Sequence, residues 1–197
     1  MKRIAFALLL GAAAQATGEP TDREVQTVLE RDFHPRGQAT MARVAQDGLQ
    51  RVCTDFRDRP PAALGQALEA DQMRAIPFRA GSLIGDWKRG EALAQSGRGM
   101  TWSDNPAAPS GGSCYNCHQL AAKELSFGTL GPSLLGFGRK RGSGAEAQRY
   151  AFGKIFNAKA YNLCSQMPRL GASGTLTEQQ IRDLVAYLLD PQSPVNQ

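Results

Sequence analysis

The chain has 197 residues, of which 42% are hydrophobic and 7% aromatic, with 21 glycines. This composition allows one compact core and favours a helical protein with long loops over a β-sandwich, which needs more β-branched and aromatic residues. The net charge of +5 comes without a basic run interleaved with aromatic side chains, so nucleic-acid binding is not indicated.

Residues 1–16 are predicted to be a cleaved secretion signal. Lys2 and Arg3 precede a short apolar run that ends in an Ala-Gln-Ala cleavage site. The run is far shorter than the roughly 20 residues that cross a bilayer, and no later segment is apolar enough to do so. We therefore expect a mature protein that starts near Thr17, has no membrane span and lies in a bacterial periplasm.

Residues 17–80 are predicted to form an N-terminal helical extension of two or three short helices. The apolar residues within 25–29 and within 41–52 recur at helical spacing. Pro60 and Pro61 end the second of these helices and open a third. We expect the extension to pack on the domain that follows it.

Residues 81–192 are predicted to form a helical domain, and residues 193–197 a tail. The first helix of the domain covers residues 87–95, with Asp86 as its N-cap. A loop rich in Gly, Ser, Asn and Pro then leads to a Cys-x-x-Cys-His motif at residues 114–118.

The rest of the domain is predicted to contain further loops and two helices. The glycine-rich residues 128–144 are predicted to be a loop, and a helix follows near residues 148–156. The last helix starts with a capping box over residues 177–180. One apolar stripe runs along it, formed by Ile181, Leu184, Val185 and Leu188.

The motif at residues 114–118 is typical of covalent haem attachment. Cys114 and Cys117 are spaced to form thioethers with the two vinyl groups on one edge of a haem, and His118 then supplies the proximal nitrogen to the iron. A thioredoxin-type redox pair would need a βαβ pattern, and half a zinc site would need two further ligands. The secretion signal also argues against a chance match, because c-type haem is attached outside the cytoplasm. One haem c is the expected cofactor.

The second axial ligand of the iron is sought among the remaining histidine and the methionines. Met167 is the only methionine after the motif, and its loop, stiffened by Pro168, precedes the last helix. We therefore expect Met167 to bind the iron, a pairing that raises the haem potential. Met100, in the loop before the motif, and His34, in the helical extension, are the weaker candidates.

Two further cysteines, Cys53 and Cys164, remain. In an oxidising compartment two leftover cysteines most simply form a disulfide, which would tie the extension to the loop of Met167. The alternative is that Cys164 is a free thiol near the haem, either redox-active or bound to the iron.

The secretion signal, the haem motif, the Met-Pro loop and the final helix together resemble class I cytochromes c. The resemblance implies an all-α fold in which the helix before the motif crosses the last helix, here with Gly90 against the ring of Tyr187. Residues 131–134 resemble the family's loop in which a proline carbonyl accepts a hydrogen bond from the proximal histidine. The implied partner of His118 is therefore Pro132.

Within this class, several segments are similar to the X subunits (SoxX) of the sulfur-oxidising Sox system. They are residues 85–90, 131–136, 150–157, 167–171 and 176–181. The long helical extension and the cysteine in the methionine loop depart from the commonest pattern of that family.

The similarity implies partners and a reaction. X subunits pair with the larger cytochrome SoxA, and the complex joins thiosulfate oxidatively to a cysteine of the carrier SoxYZ, an S-thiosulfotransferase reaction that releases two electrons. The catalytic cysteine would then belong to SoxA, and this chain, with no catalytic residue of its own, would pass electrons to a small acceptor cytochrome c. The alternative is a free-standing electron carrier for another respiratory or dehydrogenase system.

Overall fold

The computed structural model describes residues 20–197, and within them the chain folds into α-helices joined by loops and short 3-10 turns. The all-α prediction is confirmed, whereas the secretion signal predicted for residues 1–16 lies outside the described residues. The α-helices are α1 (Asp22–Asp32), α2 (Gly48–Asp55), α3 (Ala62–Arg74), α4 (Trp87–Gln95), α5 (Phe137–Arg141), α6 (Ala145–Phe156) and α7 (Glu178–Leu189). None of these helices is long and apolar enough to cross a membrane.

The described part of the chain divides into two units, residues 20–34 and residues 35–197. Helix α1 belongs to the first unit. It starts with a capping box in which the Thr21 side chain accepts a hydrogen bond from the backbone of Glu24 and the Glu24 carboxylate accepts one from the backbone of Thr21. Helices α2 to α7 belong to the second unit.

The extension differs from its prediction at the second helix. Instead of a helix over residues 41–52, the chain makes a 3-10 turn at Met41–Arg43 and starts α2 only at Gly48. Asp47 causes the late start, because its side chain and that of Gln50 form a capping box that fixes a helix N-terminus at this point. Helix α3 begins directly after the two prolines, as predicted.

Helices α4 and α7 cross at Gly90. A methyl group at this position would collide with the backbone carbonyl of Asp183 and would lie 2.8 Å from Cβ of Tyr187. The predicted close approach is therefore confirmed, but the nearest atoms belong to the α7 backbone and to Cβ of Tyr187 rather than to the tyrosine ring. Asp86 caps α4 by accepting hydrogen bonds from the backbone of Lys88 and Arg89.

A buried carboxylate fastens the same crossing, and the sequence did not indicate it. Asp183, whose side chain is 4% exposed, accepts hydrogen bonds from Arg89 Nε at 2.9 Å and from the backbone N–H of Asp86 at 2.8 Å. A third donor is Gln179 at 3.1 Å. Burial alone would raise the pKa of Asp183, but these hydrogen bonds outweigh burial, so its pKa lies below the ordinary value.

The main core lies where α4, α6 and α7 meet. The capping box of α7 and its apolar stripe are found as predicted, and the whole stripe is buried. Core residues from these helices include Ala94, Ala151, Phe152, Ile155, Ile181, Leu184, Val185 and Leu188. Because α7 packs on both α4 and α6, it holds together the elements on either side of the Cys-x-x-Cys-His motif.

Two segments are more ordered than their sequence suggested. Within the predicted loop at residues 128–144 the chain forms α5, where Phe137 packs against the core and stacks on Tyr150 at 6.5 Å between ring centroids. The residues predicted as a tail include a 3-10 turn at Pro194–Asn196, where Val195 is buried. The Asn196 side chain bonds both α5 and the end of α7.

Candidate haem-attachment site

The Cys-x-x-Cys-His motif forms a tight turn. Residues Cys114–Asn116 make a 3-10 turn, and the backbone N–H groups of Cys117 and His118 both donate to the carbonyl of Cys114, at 3.1 and 2.9 Å. This turn brings the two cysteines and the histidine into one short segment of fixed backbone. Both cysteines are half-buried and carry free thiols.

The surroundings of Cys114 bear on the alternative interpretations of the motif. Burial raises the pKa of its thiol to about 11, and its side chain packs against the main core. Residues 20–197 contain no β-strand, so the βαβ surroundings of a thioredoxin-type redox pair are absent from that part of the chain. Among the same residues, neither Cys114 nor Cys117 lies in a cluster of three or more metal-ligating side chains, as a zinc site would require.

Residues 131 and 132 fix the position of the His118 imidazole. Its Nδ1 donates a hydrogen bond of 2.7 Å to the carbonyl oxygen of Pro132. A carbonyl can only accept, so this bond places the ring proton on Nδ1 and leaves the lone pair of Nε2 available for a metal. Gly131 lies against the ring, and a methyl group there would be 2.7 Å from Nε2 and closer still to Cε1 and Nδ1. The donor set and its support fit a haem iron.

Met167 lies in the loop between α6 and α7. Its side chain is half-buried and packs against the main core, as that of Cys114 also does. The alternative ligands differ in burial, since Met100 and His34 are both exposed. The ligand role of Met167 stays a prediction, with a thioether at the edge of the core to support it.

Large apolar side chains are exposed in the loops that flank the motif in sequence. Met100 and Trp102 precede it, and Leu125, Phe127 and Leu130 follow it. Leu125 and Leu130 show almost their whole side chains to solvent, which is unusual for two leucines in one loop. Exposed apolar side chains of this size next to the motif fit an apolar ligand or a protein partner.

Cys53 and Cys164 form a disulfide in the structure, with their Cα atoms 5.5 Å apart. Cys53 is buried in α2, and Cys164 lies three residues before Met167. In this bridge Cys164 has no free thiol to bind iron. The bridge joins the extension to the methionine loop.

No local sequence pattern indicates the other bonds between the extension and that loop. Arg169 forms an ion pair with Asp47, which is 122 residues away in the chain. In α3, Glu69 accepts a hydrogen bond of 2.8 Å from the backbone N–H of Leu163. Such pairings depend on the tertiary fold and leave no local pattern.

Comparisons with known proteins agree with this geometry. A family model described as Cytochrome c matches residues 87–191, from the start of α4 to just beyond α7, and so includes the motif and Met167. The chain is also 31% identical over 206 residues to an uncharacterized lipoprotein of Aquifex aeolicus (strain VF5). The alignment covers 98% of this chain and 98% of the relative, so it includes the helical extension.

Proposed function

Because this chain belongs to the cytochrome c family, we propose that it is an electron carrier with one haem c, joined to Cys114 and Cys117 and ligated by His118 and Met167. A cytochrome c domain implies covalently bound haem c, which supplies one-electron redox chemistry at its iron. The observation that carries the proposal is the hydrogen bond between His118 and the Pro132 carbonyl, beside two free thiols.

Different residues of the chain would attach the haem, orient its histidine ligand and complete the coordination of its iron. Thioethers at Cys114 and Cys117 would hold one edge of the haem. The Pro132 carbonyl orients His118 and increases its basicity towards the iron. An iron held by both His118 and Met167 would have no open position for a substrate, so this ligand set favours electron transfer over catalysis at the metal.

Axial ligation is tested by substituting the two candidate methionines in the full-length haem protein. We expect Met167→Ala to abolish the near-infrared absorption band of methionine–iron(III) ligation and to lower the reduction potential. Met100→Ala is the matched control and keeps both properties. Loss of the band in Met100→Ala, with the band intact in Met167→Ala, would reverse the assignment.

We propose further that the chain is the electron-transfer subunit of a SoxAX-type complex. In that reaction a cysteine thiol of SoxYZ and thiosulfate form a sulfur–sulfur bond, with release of one proton and two electrons. The electrons would leave singly through the haem of this chain to a small acceptor cytochrome c. The support is the similarity of residues 85–90, 131–136, 150–157, 167–171 and 176–181 to X subunits.

Copurification and a reduction assay separate this role from that of a free-standing carrier. A SoxAX-type subunit forms a stable heterodimer with a second cytochrome, and thiosulfate reduces its haem only when SoxA and SoxYZ are present. A protein that stays monomeric, and whose haem thiosulfate cannot reduce through these partners, is a carrier for another system.

The expected location follows from the chemistry of the family. Cytochromes c acquire haem outside the cytoplasm, and the relative in Aquifex aeolicus is named a lipoprotein. We propose a periplasmic protein exported through residues 1–16, with an extension over residues 17–80, a haem domain over residues 81–192 and the short segment 193–197 after it. N-terminal sequencing of the mature protein tests the cleavage site, which we expect before Thr17.

A further inference from the structure

The loop that carries Met167 has little structure of its own around the methionine. The backbone N–H of Met167 donates to the side-chain oxygen of Ser165 at 3.3 Å, within the same loop. Loops of this kind open locally at low cost unless other elements hold them. An axial ligand on such a loop therefore needs support from elsewhere in the fold.

Support on the N-terminal side of the methionine comes from the extension. The disulfide of Cys53 holds Cys164, three residues before Met167. One residue earlier, the backbone N–H of Leu163 donates to Glu69 of α3 at 2.8 Å. The loop is thus attached covalently and by a hydrogen bond just ahead of the ligand.

Support on the C-terminal side comes from two elements. The carbonyl of Phe156 in α6 accepts hydrogen bonds from the backbone N–H groups of Gly171 and Ala172, at 3.1 and 3.0 Å. Nearer to the methionine, the support comes from α2. The Arg169 guanidinium, two residues after Met167, forms an ion pair with the Asp47 carboxylate. Both side chains are partly buried, at 26% and 41% exposed. Asp47 is also the N-cap of α2, the helix that contains Cys53.

We propose that α2 is a clamp that keeps Met167 bound to the haem iron, with Asp47 and Cys53 as positioning residues. The eight-residue helix holds residue 164 near its C-terminus and residue 169 at its N-cap, so the segment between them is fixed at both ends. This inference rests on the proposed ligand role of Met167. If α2 acts in this way, the function of the helical extension is to hold the methionine loop of the haem domain in place.

The clamp is tested by competition between Met167 and added imidazole in the oxidised, full-length haem protein. Asp47→Asn removes the charge that pairs with Arg169 but keeps a good N-cap, so α2 itself is preserved. We expect imidazole to bind about threefold more tightly to this variant, because a partly exposed ion pair makes a small contribution to stability. The matched control is Asp55→Asn on the same helix, where the carboxylate pairs with Arg51 at 3.9 Å, and it binds imidazole like the parent.

The second variant replaces both Cys53 and Cys164 by serine. Without the covalent tether we expect imidazole to bind about tenfold more tightly, since the lost cross-link frees the loop. Urea unfolding followed by circular dichroism is measured in parallel. A role confined to overall stability would shift the urea midpoint of Asp47→Asn and leave its imidazole affinity unchanged.

The outcomes separate the clamp from the ligand assignment. Tighter imidazole binding in Asp47→Asn and in the double serine variant, with Asp55→Asn unchanged, supports the clamp. Imidazole binding equal to that of the parent in both variants overturns the clamp and leaves the proposed function standing. A parent protein without the near-infrared methionine band overturns both the ligand assignment and the clamp.

Discussion

Replacement by alanine is expected to have opposite effects on stability at two glycines inside helices, one of which, Gly90, lies at the crossing of α4 and α7. Replacing a helix-interior glycine by alanine normally stabilises a protein by about 0.5–1 kcal/mol, because glycine loses more backbone entropy on folding. Gly65 in α3 has room for a methyl group, since the nearest atom, Pro60 Cγ, would be 3.8 Å away. At Gly90 the methyl group would meet the backbone carbonyl of Asp183.

The expected magnitudes follow from these contacts. Overpacking costs about 1–3 kcal/mol, and the upper end applies at Gly90 because a helix backbone cannot rotate away as a side chain can. After the gain in helix propensity is subtracted, Gly90→Ala should lower the free energy of unfolding by about 2 kcal/mol. Gly65→Ala should raise it by about 0.5–1 kcal/mol.

Urea unfolding of the oxidised haem protein, followed by far-ultraviolet circular dichroism, measures both changes. The two variants should move the unfolding midpoint in opposite directions with similar slopes. Stabilisation of the protein by both substitutions would refute the close crossing at Gly90, and with it the packing of the domain described above.

Two further predictions concern the crossing and the histidine. The folded pKa of Asp183 is lowered, so its stabilising contribution is present above the unfolded pKa of about 4 and is lost as the pH falls through the folded pKa. Asp183→Asn should flatten the acid-side decline of the unfolding free energy, measured from pH 5 downward at about half-unit steps. Gly131→Ala should reduce the yield of haem protein, because the methyl group displaces the His118 ring. Gly144→Ala, with no atom within 4 Å, should give the parental yield; a normal yield from both would contradict the packing.

The parts of the fold that local signals determine were predictable from the sequence. Asp86 before α4, and the capping box and apolar stripe of α7, fix helix starts and buried faces through residues no more than a few positions apart. The capping box of Asp47 is an equally local signal, so the start of α2 at Gly48 was also predictable from the sequence. The spacing of the apolar residues alone gave a start that was too early. The spacing of the two cysteines and the histidine at residues 114–118 was enough to predict covalent haem attachment.

The structural features that could not be predicted from the sequence depend on contacts between residues that are distant in the chain. Arg169 and Asp47 are separated by 122 residues, and Arg89, which pairs with Asp183, lies in a different helix 94 residues away. Helix α5 has only five residues, three of them basic and one a glycine, so its formation depends on the packing of Phe137 against the core. These features need the tertiary fold before any of them can be recognised.

The central claim is that haem is attached to the chain through Cys114 and Cys117. The most direct test is the intact mass of the mature, denatured protein from a host that matures c-type cytochromes, for the parent and two double variants. The parent and Cys53→Ser/Cys164→Ser should each exceed the polypeptide mass by one haem, whereas Cys114→Ser/Cys117→Ser should not. A parent that weighs only its polypeptide, or a Cys114→Ser/Cys117→Ser variant that retains covalent haem, would contradict the account.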